Sequence, residues 1–323
     1  MESRIDTTVT KYITLLKLIV GSNRLKSHTG ATHKNKTLEE SINYISRVFD
    51  DYVRYAALGP REIEGKRILE IGPGDNFGVA VKFIAQGAQK VVCLDRYECE
   101  KDLQQQSRIY EALLRTLGEK ERHQALEAVF LSGERYVINP QKVQYVFGKG
   151  IENIDSPEDL SSRRRFDLIV SRAVLQYVDD PVRAFAAMDR LLEKGGMMIH
   201  RIDLRDHGLF TRKGMDPMEF LTVPDFIWKR IHPHAGKINR HRIDSYRKKL
   251  TDLGYDFKIL VTHVMGHSGD LVPHPPRLTE GRDFSGNDLS LVRRMRPRLL
   301  SRFRQLSDED LLTSGILVVA RKP

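Results

Sequence analysis

The segment Lys66 to Glu98 constrains this chain more than any other. An apolar strand (Ile68, Leu69, Ile71) runs into a glycine turn at Gly72, Gly74 and Gly78, and a second apolar strand (Val91 to Leu94) ends in a carboxylate, Asp95. Strand, glycine turn, helix and acid-tipped strand form the unit that holds a nucleoside at the carboxyl ends of parallel strands. Glycine lets the backbone pass close to a ligand with no Cβ in the way. An acid about twenty residues beyond the turn is placed to accept hydrogen bonds from ribose hydroxyls.

The spacing separates two nucleoside classes. A dinucleotide fingerprint puts its third glycine at position 77, where this chain has Phe77 and moves the glycine to Gly78. Glu70 stands two residues before the first glycine. A pyrophosphate gains nothing from a carboxylate there, whereas a cationic ligand with an amino group does. Glu70-x-Gly72-x-Gly74 resembles motif I of the class I methyltransferases that use S-adenosyl-L-methionine. The resemblance implies that Glu70, Gly72, Pro73, Gly74 and Asn76 lie under the methionine part of that cofactor. It also implies that Asp95, with Arg96 beside it, lies at the ribose.

A chain of 323 residues holds one large domain or two small ones. Its 40% hydrophobic and 30% charged content is that of a soluble globular protein. No apolar run approaches the roughly 20 residues of a membrane span. The N-terminal stretch Tyr12 to Val20 is short, interrupted by Lys17, and lacks a secretory cleavage pattern. Two cysteines, Cys93 inside a predicted strand and Cys99 just beyond it, make no disulfide framework, so the chain reads as cytoplasmic. The net charge of +10 points to an anionic partner or substrate, with solvated surface arginine as the plainer reading. Arginines cluster at 163–165 and between 293 and 304.

The pattern along the chain is α/β. Residues 1–64 read as an N-terminal helical cap, with capping-box spacing at Thr37-x-x-Glu40 and Ile42, Ile45, Phe49 and Tyr52 at helical intervals. Residues 65–323 then alternate strand and helix. Strands are expected at about 67–72, 90–95, 143–147, 166–171, 197–202, 257–264 and 316–321. Helices are expected at about 77–87, after Asp180-Pro181 as far as Gly195-Gly196, and at about 241–253. Residues between 96 and 142 read as a long helical interval divided by Gly118. The order is similar to the doubly wound, Rossmann-like, mostly parallel seven-stranded sheet of the class I methyltransferases, whose seventh strand is antiparallel beside the sixth. Where that family has a short turn between those two strands, about fifty residues (266–314) intervene here. A stretch of that length is expected to act as a lid or an acceptor-binding element.

Further site residues follow from position. After the third predicted strand, Gly150, Ile151 and Glu152 occupy the place that the family sets against the adenine, though a plain strand-to-helix turn also fits. The fourth predicted strand ends Ser171-Arg172-Ala173-Val174-Leu175-Gln176-Tyr177. This resembles the motif IV region of small-molecule methyltransferases, where the strand end lies beside the reactive sulfonium. Ser171 and Arg172 are therefore counted with the cofactor site. The Asn/Asp-Pro-Pro-aromatic segment of nucleobase methyltransferases is missing, as are the ligand Asp of metal-dependent catechol-type enzymes and the paired glutamates of protein arginine methyltransferases.

The fifth predicted strand leads into His200-Arg201-Ile202-Asp203-Leu204-Arg205-Asp206-His207. Three readings stand. His207 is a general base oriented by Asp203 or Asp206, since an imidazole titrates near working pH. Alternatively, His200, Asp203 and His207 bind a divalent metal, or the residues form a structural turn. The segment resembles stretches of bacterial glycan and natural-product methyltransferases, which implies methyl transfer to an oxygen of a small-molecule or saccharide acceptor. Downstream, Trp228, His232, His234, Asn239, Arg240 and Arg242 stand where the family builds its acceptor pocket, and Trp228 is either a sugar platform or core. RNA or protein methylation and a cofactor-binding regulator without turnover are the other functional readings. The charge favours nucleic acid and the motif IV region speaks against it.

Overall fold

In the computed structural model, residues 2–20, 32–231, 237–266 and 285–323 are described, with the side chains of 2–8 left aside. Nine strands occur among them: β1 Arg67–Ile71, β2 Lys90–Asp95, β3 Val129–Ser132, β4 Arg135–Ile138, β5 Val143–Phe147, β6 Phe166–Arg172, β7 Leu192–Asp203, β8 Asp256–Val264 and β9 Thr313–Arg321. The helices are α1 Glu2–Val20, α2 Leu38–Ala56, α3 Pro60–Ile63, α4 Gly78–Ala85, α5 Leu103–Thr116, α6 Glu119–Ala128, α7 Pro181–Leu191, α8 Asp225–Trp228, α9 Ile243–Asp252, α10 Gly286–Met295, α11 Ser301–Arg304 and α12 Asp308–Leu312.

Seven strands form one sheet in the order β5-β2-β1-β6-β7-β9-β8. All neighbours are parallel except β9, which runs antiparallel to β7 and β8. This is the doubly wound, mostly parallel seven-stranded sheet expected from the sequence, with one antiparallel strand. Chain order reverses between β1 and β6, and at such a switch point the helices diverge to opposite faces and leave a crevice above the strand ends. Register defines that crevice: Ile71 lies opposite Leu94 on one side and Ser171 on the other. The next residues along each strand, Gly72, Asp95 and Arg172, therefore share one edge.

Strand alternation sends successive side chains to opposite faces. Ile68, Val91, Cys93, Leu168 and Ile199 pack with α2, α4, α5 and α6 on one face. Leu69, Val92, Ile169, Met198 and Ile202 pack with α7 and α9 on the other. Helix α2 is set by the expected capping box: Glu40 N donates to Thr37 Oγ1 (3.1 Å) and Thr37 N donates to Glu40 Oε2 (2.7 Å). Its apolar stripe then lies on the sheet at the crevice.

Three elements differ from expectation. The interval 96–142 is not wholly helical: after α5 and α6 the chain forms the antiparallel hairpin β3–β4. Its turn uses Gly133 at φ 61°, and its outer residues Phe130 and Leu131 face solvent, so no buried stripe marks it. Strand β7 begins at Leu192, so Gly195-Gly196 lies inside the strand rather than ending the preceding helix. The described part of the 266–314 insertion is not a loop. Helices α10, α11 and α12 bury Leu291, Met295, Phe303 and Leu312 in a third core, together with Leu15 of α1 and residues of 210–238 such as Phe210, Phe220 and Trp228.

Arg242 fastens this third core to the sheet. It is 1% exposed and donates to the carbonyls of Leu204 (2.8 Å), Leu311 (3.0 Å) and Thr313. Removing a charged donor from buried carbonyls strands each of them, at about 1–3 kcal/mol apiece. Arg242→Ala should therefore lower unfolding stability by about 3 kcal/mol or more in urea titration. Lys258→Ala, on the exposed side of β8, should stay within about 0.5 kcal/mol. Equal small effects for the two variants would show that Arg242 does not hold the layers together.

Candidate active site

A cavity of about 510 Å³ opens at the carboxyl ends of β1, β2, β5 and β6. The glycine loop forms its floor. Gly72 has φ 74°, and a Cβ there would lie 2.2 Å from Val174 Cγ2, so any side chain would drive the β1 loop and the β6 loop apart. Gly78 has a different duty. A Cβ at that position would meet Ile45 Cδ1 at 2.5 Å. The displaced third glycine thus lets α2 close on α4, and Tyr44, Ile45 and Val48 of α2 form one wall.

Eleven of the twelve expected cofactor residues reach the cavity: Glu70, Gly72, Pro73, Gly74, Asn76, Asp95, Arg96, Gly150, Ile151, Glu152 and Arg172. The twelfth is corrected. Ser171 is wholly buried, and its Oγ lies 2.8 Å from His200 Nδ1 on the far side of β6. Arg172 is on the wall with its charge already met by Asp51 of α2, at 2.5 Å. Arg96 bridges Asp179 (2.8 Å) and Glu152 (3.6 Å) across the rim.

Electrostatics single out Glu70 and Asp95. Burial pushes Glu70 up to about 8, against a hydrogen bond from the Cys93 thiol that lowers it, and the charge of Asp95 adds to the rise. Burial likewise pushes Asp95 up to about 7, opposed by the Tyr145 hydroxyl (3.2 Å from Oδ2), Lys101 and the backbone at Gly74. Among the described residues neither carboxylate has an ion-pair partner. Unmet hydrogen-bonding capacity collects in the same place. Of fifteen buried side-chain polar atoms that make no hydrogen bond among the described residues, seven belong to cavity residues: His33, Asn76, Glu152 (both oxygens), Gln176 (both amide atoms) and His207. Buried polar groups are ordinarily paired, so such a cluster marks a place shaped for a polar ligand.

The strand-five cluster divides. His200 and Asp203 lie an odd number of residues apart on β7 and face opposite sides of the sheet. His200 is fully buried against the edge of Phe185, and burial brings it down to about 3. The metal reading is thereby corrected, and among the described residues no three His, Cys, Asp or Glu side chains group to hold an ion. Asp206 is corrected as an orienting group. Its oxygens accept from Gly208 N, Phe210 N, Thr211 N and Thr211 Oγ1 at 2.7–3.0 Å, so the carboxylate shapes the loop. His207 stands on the cavity wall, with Nε2 3.8 Å from Asp203 Oδ2 and Nδ1 2.8 Å from the Tyr177 hydroxyl. Arg205 grips Asp203 through its Nε (2.9 and 3.1 Å) and Nη2 (2.5 Å). Trp228 is core, 5% exposed, with Nε1 donating to Ile238 O. His232 and His234 lie outside the described residues.

Several wall residues carried no recognised signal. His33 and Lys34 donate their backbone N–H groups to Asp75 (2.8–3.1 Å), which clamps the segment before α2 over the glycine loop. Tyr145 and Lys101 support Asp95, with the ammonium 3.6 Å from the Tyr145 ring centre. Tyr177 and Gln176 lie in the very loop that resembled motif IV, yet the Tyr177 hydroxyl pairs with His207, thirty residues away, and the Gln176 carbonyl accepts from Asn239 N.

A second cavity, of about 570 Å³, meets the first at Tyr177, Val178, Asp179 and Lys237. Arg240 and Arg302 on its wall both engage Asp225. Among the described residues Lys237 pairs with no acid, and Lys229 lies near enough to Asp225 to help lower its carboxyl.

A family model described as a methyltransferase domain matches residues 43–258. No curated protein matches the chain. Among solved structures, an S-adenosylmethionine dependent methyltransferase from Mesorhizobium loti is 17% identical, covering 86% of this chain and 100% of that one, with a TM-score of 0.40. Phosphoethanolamine N-methyltransferase 2 of Haemonchus contortus is 14% identical, covering 90% of this chain and 58% of that one, with a TM-score of 0.44.

The raised carboxylate has a consequence for stability. Unfolded, Glu70 gives up its proton near 4.5; folded, it keeps it to about 8. The folded chain then binds the extra proton, so Glu70's contribution is complete below about 4.5 and is lost as pH rises through 8. In the ligand-free protein, Glu70→Gln should gain thermal stability relative to wild type progressively from pH 5 to pH 8 in calorimetry. A gap that does not change with pH would contradict the shift.

Proposed function

We propose that this chain, which belongs to the methyltransferase-domain family and is an S-adenosylmethionine-dependent methyltransferase, methylates a hydroxyl oxygen of a small-molecule or saccharide acceptor. The observation that carries this reading is the meeting, around one cavity, of two carboxylates that have no ion-pair partner among the described residues with an imidazole backed by Asp203.

The residues present fit the cofactor. A ligand bearing an ammonium group and a ribose diol is what Glu70 and Asp95 lack, since a positive charge would favour the ionised form of Glu70 and hydroxyls would donate to Asp95. Gly72 lets the β1 and β6 loops close together into the floor on which such a ligand would rest. Gly150, Ile151 and Glu152 are offered for the base, with Asn76 at the loop and Arg96 and Arg172 at the rim. Bound there, the cofactor supplies an electrophilic methyl group whose C–S bond breaks as the C–O bond forms.

The chain's own part is positioning and proton removal. A hydroxyl is a weak nucleophile, and His207 is the group placed to hold the proton it loses. Burial keeps the imidazole below its ordinary value, against the pull of Asp203 and beside the opposing charges of Arg205 and Arg212. It is therefore neutral and able to accept at pH 7. Burial works against the Asp203 carboxylate, but the side-chain and backbone hydrogen bonds from Arg205, with the Arg205 charge, hold it below its ordinary value, and it remains ionised. The second cavity, with Lys237 free of an acid partner among the described residues, supports an acceptor that carries negative charge.

Two measurements check this. Asp95→Ala should weaken S-adenosylhomocysteine binding by about 1–3 kcal/mol in calorimetry, the scale for an unfilled charged hydrogen-bond site. Unchanged affinity would remove Asp95 from the cofactor site. His207→Ala should slow transfer of labelled methyl to the acceptor fraction of a cell extract by about 10²–10⁴-fold and leave cofactor affinity intact. A near-full rate would remove His207 from the chemistry.

A further inference from the structure

We propose that Tyr177 is the residue that meets the acceptor hydroxyl, and that His207, steadied by Asp203, takes the proton from behind it. The proposal rests on the hydroxyl-acceptor reading and assigns the group that touches the acceptor.

Both nitrogens of His207 are occupied or enclosed. Nδ1 lies 2.8 Å from the Tyr177 hydroxyl, with the two rings edge to face at 5.3 Å between centres. Nε2 is buried from solvent, makes no hydrogen bond, and is turned toward Asp203 Oδ2 at 3.8 Å. Neither position is open to a second oxygen. Tyr177, by contrast, is 40% exposed and belongs to the walls of both cavities, whereas His207 belongs to the first alone. The phenol thus stands where a cofactor in the first cavity and an acceptor body in the second would adjoin.

The backbone holds this arrangement. His207 has φ 52°, a left-handed conformation that only a few per cent of non-glycine residues adopt. The turn that imposes it is locked by the four hydrogen bonds to Asp206. Strain of this kind persists where the surroundings over-determine it. The imidazole is accordingly aimed at Tyr177 by a rigid loop.

The proton inventory closes. The acceptor hydroxyl donates to Tyr177 Oη, and Tyr177 donates to His207 Nδ1. As the acceptor oxygen attacks, its proton moves to Oη and the phenol proton moves to Nδ1. Tyr177 ends as it began and His207 ends as an imidazolium facing Asp203, to be deprotonated by solvent after release. The charged groups facing His207 are Asp203 at the end of β7 and Arg205, Asp206 and Arg212 from its own loop, and the neutral Tyr177 hydroxyl faces it from the loop after β6.

The tautomer of His207 tests this without an acceptor. Two-dimensional ¹H–¹⁵N spectra of the full chain with S-adenosylhomocysteine should show the proton of neutral His207 on Nε2. A proton on Nδ1 would overturn the proposal. Tyr177→Phe keeps the ring and removes the oxygen. It should shift the His207 titration, leave S-adenosylhomocysteine affinity unchanged, and cut transfer from ¹³C-methyl-labelled S-adenosylmethionine to the extract's acceptor fraction by about 10²-fold or more. Activity within threefold of wild type, with the label on oxygen, would overturn the role of Tyr177 alone. Label on nitrogen or carbon of the product would overturn the hydroxyl reading, and this proposal with it.

Discussion

Two carboxylates, Glu70 buried and Asp95 half-buried, with no ion-pair partner among the described residues, organise this molecule. Placing Glu70 and Asp95 at the ends of β1 and β2 costs stability, because burial opposes their ionised forms. A core built for stability alone would not keep them. Their surroundings are arranged to keep that cost and still hold shape: a thiol on Glu70, a phenol on Asp95, an ammonium near the Tyr145 ring, and Asp75 clamping the chain before α2. The site is thus prepared for a ligand that brings the missing positive charge and hydroxyl donors.

The rest of the architecture serves that edge. The switch between β1 and β6 opens the crevice, and α2 closes one side because Gly78 lets Ile45 approach. β7 carries His207 and Asp203 to the same end of the sheet. The third core, pinned by Arg242, supports the second cavity against the first. An element that composition alone presented as a Pro-, Gly- and Arg-rich insertion is, over 285–312, part of the packed body.

Much of the fold and of the cavity edge was legible because both rest on local pattern. Six of the seven main strands carry an apolar run of three or more residues, β1 breaks its run only at Glu70, and a glycine loop followed by an acid has little freedom of arrangement. The hairpin β3–β4 was hidden because its outer face is exposed and its strands are four residues each. Helix α10 did carry a signal, with Ser285 capping toward Asp288 and Leu291, Val292 and Met295 buried, but the composition around it drew attention away. Strand parity alone separates His200 from Asp203. The pairing of Tyr177 with His207, and the Asp75 clamp on His33, join segments thirty and forty-two residues apart, which no local pattern encodes.

The central claim is that a cationic cofactor completes the pair of buried carboxylates. Calorimetry of S-adenosylmethionine binding at pH 7, repeated in buffers of different ionisation enthalpy, tests it directly. Glu70 holds its proton to about 8 in the free protein and must lose it opposite an ammonium group. Binding should therefore release protons to the buffer, and the release should shrink in Glu70→Gln. Tight binding with no buffer dependence, or with proton uptake, would contradict the account.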